Sequence, residues 1–233
     1  MEKALILSHV TAGATTLLSG ILAAFFGRKG GKIHRAAGKV FFWSMAWIFI
    51  SAILIVIFVR FNFFLSIIAV FSFYMTFAGQ RVLKLKKTLK PLPVDWIAAF
   101  IAIAFGLTLF GAGIRFLVLS NFSSTIGYLS VIFGFFTANT AWLNIKGFRN
   151  AKPDKMWWWF AHMNLMSGAF IASITAFLVQ NGALFQALGN MGWLLWVLPG
   201  AIGAPLIAYH ANRYRKQFGV GKYASAKNAK PIV

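Results

Sequence analysis

The chain has no cysteine, and only three of its 233 residues are acidic: Glu2, Asp95 and Asp154. The first absence excludes disulfides, a thiolate nucleophile, a cysteine-ligated iron–sulfur cluster and a covalently attached c-type haem. The second argues against any relay of paired acids, because no carboxylate stands at the middle of an apolar run. Charged residues of both signs make up only 11% of the chain against 60% hydrophobic residues. Such a composition would be insoluble as a water-facing globule and suits a chain whose solvent is mostly lipid.

What is abundant is positive charge, and it is patterned. All of the 23 basic residues except Lys3, Arg60 and Arg115 fall in four short patches. These run from Arg28 to Lys39, from Arg81 to Lys90, from Lys146 to Lys155 and from Arg213 to Lys230. Long apolar stretches separate them, so every second loop is basic and the alternate loops are nearly uncharged. A chain threaded through a bilayer under the positive-inside rule has this pattern. The net charge of +20 therefore reads as orientation plus attraction to anionic lipid headgroups, not as a nucleic-acid surface.

The apolar runs predict an all-α fold, a bundle of seven transmembrane helices at 4–26, 39–59, 63–83, 94–119, 125–145, 157–180 and 190–210. Each is near the roughly 20 residues that cross hydrocarbon. With the basic loops inside, the N-terminus lies outside and the C-terminus in the cytoplasm. Positive charge follows the first apolar run instead of preceding it, so that run is expected to stay in the protein and not to serve as a cleaved leader. The expected organisation is one membrane domain over 1–215 and a flexible basic cytoplasmic tail over 216–233, in a bacterial cytoplasmic (inner) membrane.

Tryptophans mark the ends of the runs. Trp43, Trp96, Trp142 and Trp157-Trp158-Trp159 sit near the basic ends, and Trp193 and Trp196 near the other, as an aromatic belt requires. Small residues suggest which helix faces pack, since bilayer helices associate by close approach. The stripes are Ala12, Thr16, Gly20 and Ala24 in the first run; Gly168, Ala172 and Ala176 in the sixth; and Gly200, Ala204 and Ala208 in the seventh. A polar stripe, Ser72, Thr76 and Gln80, descends the third and suits either bundle contact or a pathway.

Chemistry falls to the four histidines. Threading the seven runs through one membrane brings His34, His162 and His210 to a similar depth near the basic ends, with Asp95 and Asp154 at that level. Three imidazoles, with Asp95 in reach, suit a divalent metal such as zinc and leave an open coordination position. Two imidazoles on facing helices suit the iron of a b-type haem, held without any cysteine. The bland alternatives are that His34 and His210, flanked by Arg35 and Arg213, face lipid headgroups, and that both aspartates simply cap helix N-termini. His9 lies at the opposite face, apart from this group. The seventh run has no lysine, so a retinal Schiff base is excluded.

Several short motifs carry a family likeness. His9 with Gly13 and Gly20, then Arg28-Lys29-Gly30-Gly31-x-x-His34-Arg35-x-x-Gly38, form the first group. His162-Met163 to Met166, Gly168 to Ala172 and Thr175 to Val179 form the second; Leu198-Pro199, Gly203-x-Pro205-Leu206-Ile207 and Arg213-Tyr214-Arg215 form the third. Together they resemble a family of predicted bacterial membrane proteins called domain of unknown function 2306. The resemblance implies an integral membrane protein and brings no activity, but its motifs contain His9, His34 and His162. Three functions follow as expectations. The leading one is a histidine-built cofactor site, haem b or a divalent metal, near the cytoplasmic face. The others are a small transporter or channel, and a non-catalytic membrane scaffold or assembly factor.

Overall fold

The computed structural model describes residues 2–150, 155–183 and 191–224, apart from the side chains at 64 and 65. Seven α-helices make up the fold: α1 (Glu2–Phe25), α2 (Lys32–Phe58), α3 (Phe63–Thr88), α4 (Pro93–Leu119), α5 (Thr125–Arg149), α6 (Trp157–Gln180) and α7 (Leu194–Phe218). All seven are long and apolar enough to cross a membrane. Large side chains such as Leu7, Leu18, Phe58, Ile101, Leu119 and Ile202 cover the outside of the bundle. That inside-out distribution is stable only in lipid.

Four of the helices extend past the apolar runs at their basic ends. α2 begins at Lys32 instead of 39, α3 continues to Thr88, α5 to Arg149 and α7 to Phe218. Hydrophobic length underestimates them because Lys and Arg form helix well and, in α3, α5 and α7, complement the C-terminal dipole. Their stems also lie along apolar surface: Lys86 Nζ sits 3.9 Å from the centroid of the Trp158 ring, and the Arg215 guanidinium 5.2 Å from that of Phe160.

The expected flexible tail over 216–233 needs correction at its start. Gly219, in the left-handed conformation, ends α7, and Val220 N–H donates back to the Arg215 carbonyl. This turn sends Val220 under the bundle, buried with Phe160 and Ala211, before a 3-10 turn at Gly221–Tyr223. A hydrophobic residue just past a left-handed glycine docks in this way at many helix ends. Residues 225–233 lie outside the described part.

Helices α3 and α6 pack on each other at the centre. The α1–α2 hairpin lies against both, the α4–α5 hairpin against α3, and α7 against α6. The tightest seam joins α4 to α5 through Gly106, Gly113, Gly127 and Gly134. A Cβ on Gly106 would stand 2.6 Å from the Ala138 amide nitrogen, and one on Gly134 2.6 Å from that of Phe110. The stripes named above sit on other helices, so this closest approach was not foreseen. Its signal is the matching seven-residue spacing of the two glycine pairs.

The stripe proposed for α7 is out of phase. Ala204 and Ala208 are exposed, and the packed face carries Gly203, where Ile171 of α6 inserts, and buried Ala211. The α1 stripe holds at Thr16 and Gly20 but not at exposed Ala24, and Ser19 joins it. On α3, Ser72 and Thr76 are buried and return their hydroxyls to the Ala69 and Ser72 carbonyls of their own helix. The tryptophan run is likewise more than a belt. Trp157 and Trp158 pack on a core of α3, α4 and α5, and Trp159 packs on Tyr214 of α7 with centroids 4.3 Å apart.

Candidate functional site: a histidine pair at the basic end of the bundle

His34 is the third residue of α2. Gly27 and Gly30, with φ of 82° and 77°, turn the preceding loop sharply back on α1. The turn lets the His34 ring reach the last turn of α1, where Nδ1 lies 3.0 Å from the Ala23 carbonyl. Lys29 Nζ donates to the same carbonyl at 3.0 Å and also to that of Ala24. These carbonyls are among the orphans that every helix C-terminus leaves. A lysine and an imidazole satisfy them here.

His162 lies in the second turn of α6 and points toward α3. Its Nδ1 is 2.8 Å from the Gly79 carbonyl. Gly79 is buried, and a Cβ there would meet Met166 Sδ at 2.9 Å, so glycine permits this approach of α6. The carbonyl accepts and carries no hydrogen, so in each ring Nδ1 must be the N–H nitrogen. Nε2 is then left with its lone pair. Metal-ligating histidines are characteristically prepared in this way, the second nitrogen fixing tautomer and orientation by donating to a carbonyl.

The two rings face each other across the bundle with centroids 6.3 Å apart and planes inclined at 74°. Below them α2 and α6 meet through Phe41 and Met45 against Ala169, Met166 and Phe170, and Ser173 Oγ, which donates to the Ala169 carbonyl at 2.9 Å, lies 3.4 Å from Met45 Sδ. Apolar side chains therefore pack against one side of the pair.

The other proposed ligands go elsewhere. His210 is exposed on α7 beside Tyr209, off the face through which Gly203 and Ala211 pack. Asp95 is 3% exposed and fully engaged. Arg81 donates to it through Nε at 2.6 Å and Nη2 at 2.8 Å, and the Leu92 amide donates at 2.8 Å. Asp95 is thus both the N-terminal cap of α4 and half of a buried ion pair with α3. Among the described residues no three histidines or carboxylates converge: of the expected set, His34 and His162 come together, and His210 and Asp95 do not join them. Asp154 lies outside the described residues.

His9 makes a separate arrangement near the other end. The buried Ser51 hydroxyl donates to the Trp47 carbonyl at 2.6 Å, and His9 Nδ1 stands 2.8 Å from the same oxygen. With its one hydrogen committed, Ser51 accepts from His9. Beside it the Trp47 indole donates to Ser8 Oγ at 3.3 Å. These bonds tie α1 to α2.

No family model matches the chain, and neither a curated protein nor a solved structure matches it.

Proposed function

We propose that the protein is a multi-pass membrane protein whose His34 and His162 would together hold a b-type haem, which would serve electron transfer. One observation carries the reading: two imidazoles from different helices, each with Nδ1 held by a main-chain carbonyl, share one site at 6.3 Å. Both rings could offer Nε2 to one group held between α2 and α6. The donor set also discriminates, since haem iron takes two protein ligands whereas catalytic zinc takes three.

Bound there, the group would supply a one-electron couple. The chain's own part is to orient both imidazoles through Nδ1 and to line one side of the pair with Phe41, Met45 and Phe170. The resemblance to the domain of unknown function 2306 adds that both histidines stand within its motifs. The pathway reading rested on the Ser72–Thr76–Gln80 stripe, and the first two hydroxyls of that stripe are spent within α3. For orientation we adopt the positive-inside arrangement: basic loops and C-terminus cytoplasmic, N-terminus outside, in a bacterial inner membrane whose anionic lipids meet the lysine patches.

The experiment is purification from cells supplied with a haem precursor. The wild-type protein is expected to show a low-spin Soret band, and His34→Ala and His162→Ala each to lose it. His9→Ala and His210→Ala are expected to keep it. A folded wild-type protein that stays colourless and takes up no added haem overturns the reading.

A further inference from the structure

The outer surface of the bundle is largely apolar, yet a carboxamide stands on it within the span of α5. Asn139 is exposed there. It lies ten residues before Arg149 and 14 after Thr125, the two ends of α5, which are roughly 15 Å and 21 Å away at 1.5 Å per residue. That depth falls inside a hydrocarbon layer about 30 Å thick. Thr11, exposed on α1, returns its hydroxyl to the Leu7 carbonyl of its own helix. Asn139 does nothing of the kind: among the described residues it has no hydrogen-bond partner. A free carboxamide among acyl chains is unfavourable, and a polar partner at the same depth removes that cost.

The asparagine also belongs to a periodic stripe. Tyr128, Ile132, Phe135, Asn139, Trp142 and Lys146 are all exposed, and they recur along α5 at alternating steps of four and three. Such a repeat is the seam of a left-handed helix pair, and a single asparagine at one seam position sets the register of the pair. Within the bundle α5 packs on α4, chiefly, and on α3. It meets α4 through Gly127 and Gly134, which lie on a different face, so the seam is left uncovered.

The chemistry of the seam selects its partner. Copies of one chain in one membrane share an orientation, so two α5 helices related by a two-fold axis along the membrane normal run parallel. Asn139 then meets its own copy at one depth, as residues near a two-fold axis do. A carboxamide carries donors and an acceptor and so pairs with itself, where a charged side chain would repel its copy.

We propose that the outward face of α5 is a homodimer interface, in which Asn139 pairs with Asn139 of a second copy between layers of Phe135 and Trp142. The inference is independent of the haem reading.

The chain has no cysteine, so single cysteines can report the interface without a modified background. Ile132→Cys and Phe135→Cys are expected to form disulfide-linked dimers when membranes holding the full-length protein are oxidised. Leu18→Cys, exposed to lipid on α1, is expected to stay monomeric. Asn139→Leu should fold at least as well as the wild type, because leucine suits lipid, and should weaken dimerisation measured by energy transfer in lipid vesicles about fivefold or more. Asn139→Gln, which keeps the carboxamide, should retain most of the association. Failure of both seam cysteines to link overturns the inference, and so does equal linking at Leu18→Cys, which would mean random collision. An Asn139→Leu protein that dimerises as well as the wild type also overturns it, as does seam linkage only to a different protein.

Discussion

At the scale of single residues, the chain's scarce acids explain why one of them is so well used. Asp95 accepts three hydrogen bonds, two from Arg81 and one from the Leu92 amide, and joins the start of α4 to the end of α3. In a low-dielectric setting the danger lies in breaking the pair, not in lacking it. Asp95→Ala should cost about 3–5 kcal/mol, because it strands a buried guanidinium and uncaps α4. The double variant Arg81→Met/Asp95→Leu should recover most of that loss, as apolar replacements of buried pairs commonly do. Unfolding in mixed detergent micelles measures both; a double variant no better than the single one would show that the pair contributes net attraction. The histidines show the same economy, each giving one nitrogen to structure. His34, His162 and His9 all commit Nδ1 to a neighbouring helix.

At the scale of elements, helix contacts here depend on how closely backbones come together, because lipid supplies no hydrophobic drive between them. Glycine is decisive only where another backbone fills the space of a side chain. Gly134 faces Phe110 N and Gly106 O across the α4–α5 seam, whereas a Cβ on Gly111 would meet nothing within 4 Å. Gly134→Ala should therefore destabilise by about 1–3 kcal/mol or more through overpacking. Gly111→Ala should be neutral or stabilise by up to about 1 kcal/mol, since alanine is the better helix former. Comparison of the two unfolding free energies is the check, and equal effects would mean that the seam yields easily. The same logic accounts for the α7 error. Gly200, Ala204 and Ala208 and Gly203, Ile207 and Ala211 are both periodic faces, and only the presence of Ile171 across from Gly203 selects the second.

At the scale of the whole molecule, the bundle has one chemically distinct end. There the basic patches, the Arg81–Asp95 pair, the tryptophan run and the histidine pair all meet, while the other end carries the His9–Ser51 bond and few charges. In the positive-inside arrangement this end is cytoplasmic, and an odd number of crossings separates the termini. A green fluorescent protein fused after Val233 should fluoresce, and alkaline phosphatase at the same position should be inactive. The reverse pattern would invert the molecule and place the histidine pair on the outer side.

The number and rough position of the helices were legible in the sequence, because hydrocarbon thickness dictates the length of an apolar run and charge dictates where it stops. The shared level of His34 and His162 along the bundle was legible for the same reason: it follows from counting residues along each span. Azimuth was not. Whether a histidine looks at a neighbouring helix, at lipid or at solvent depends on which of several similar faces each helix presents. That choice is made by contacts between residues far apart in the chain, such as His162 with Gly79 and His34 with Ala23. The third dimension thus joined His34 to His162, left His210 exposed beside Tyr209, and gave Asp95 to Arg81. Sequence determined how deep each side chain sits, and tertiary packing determined which of them meet.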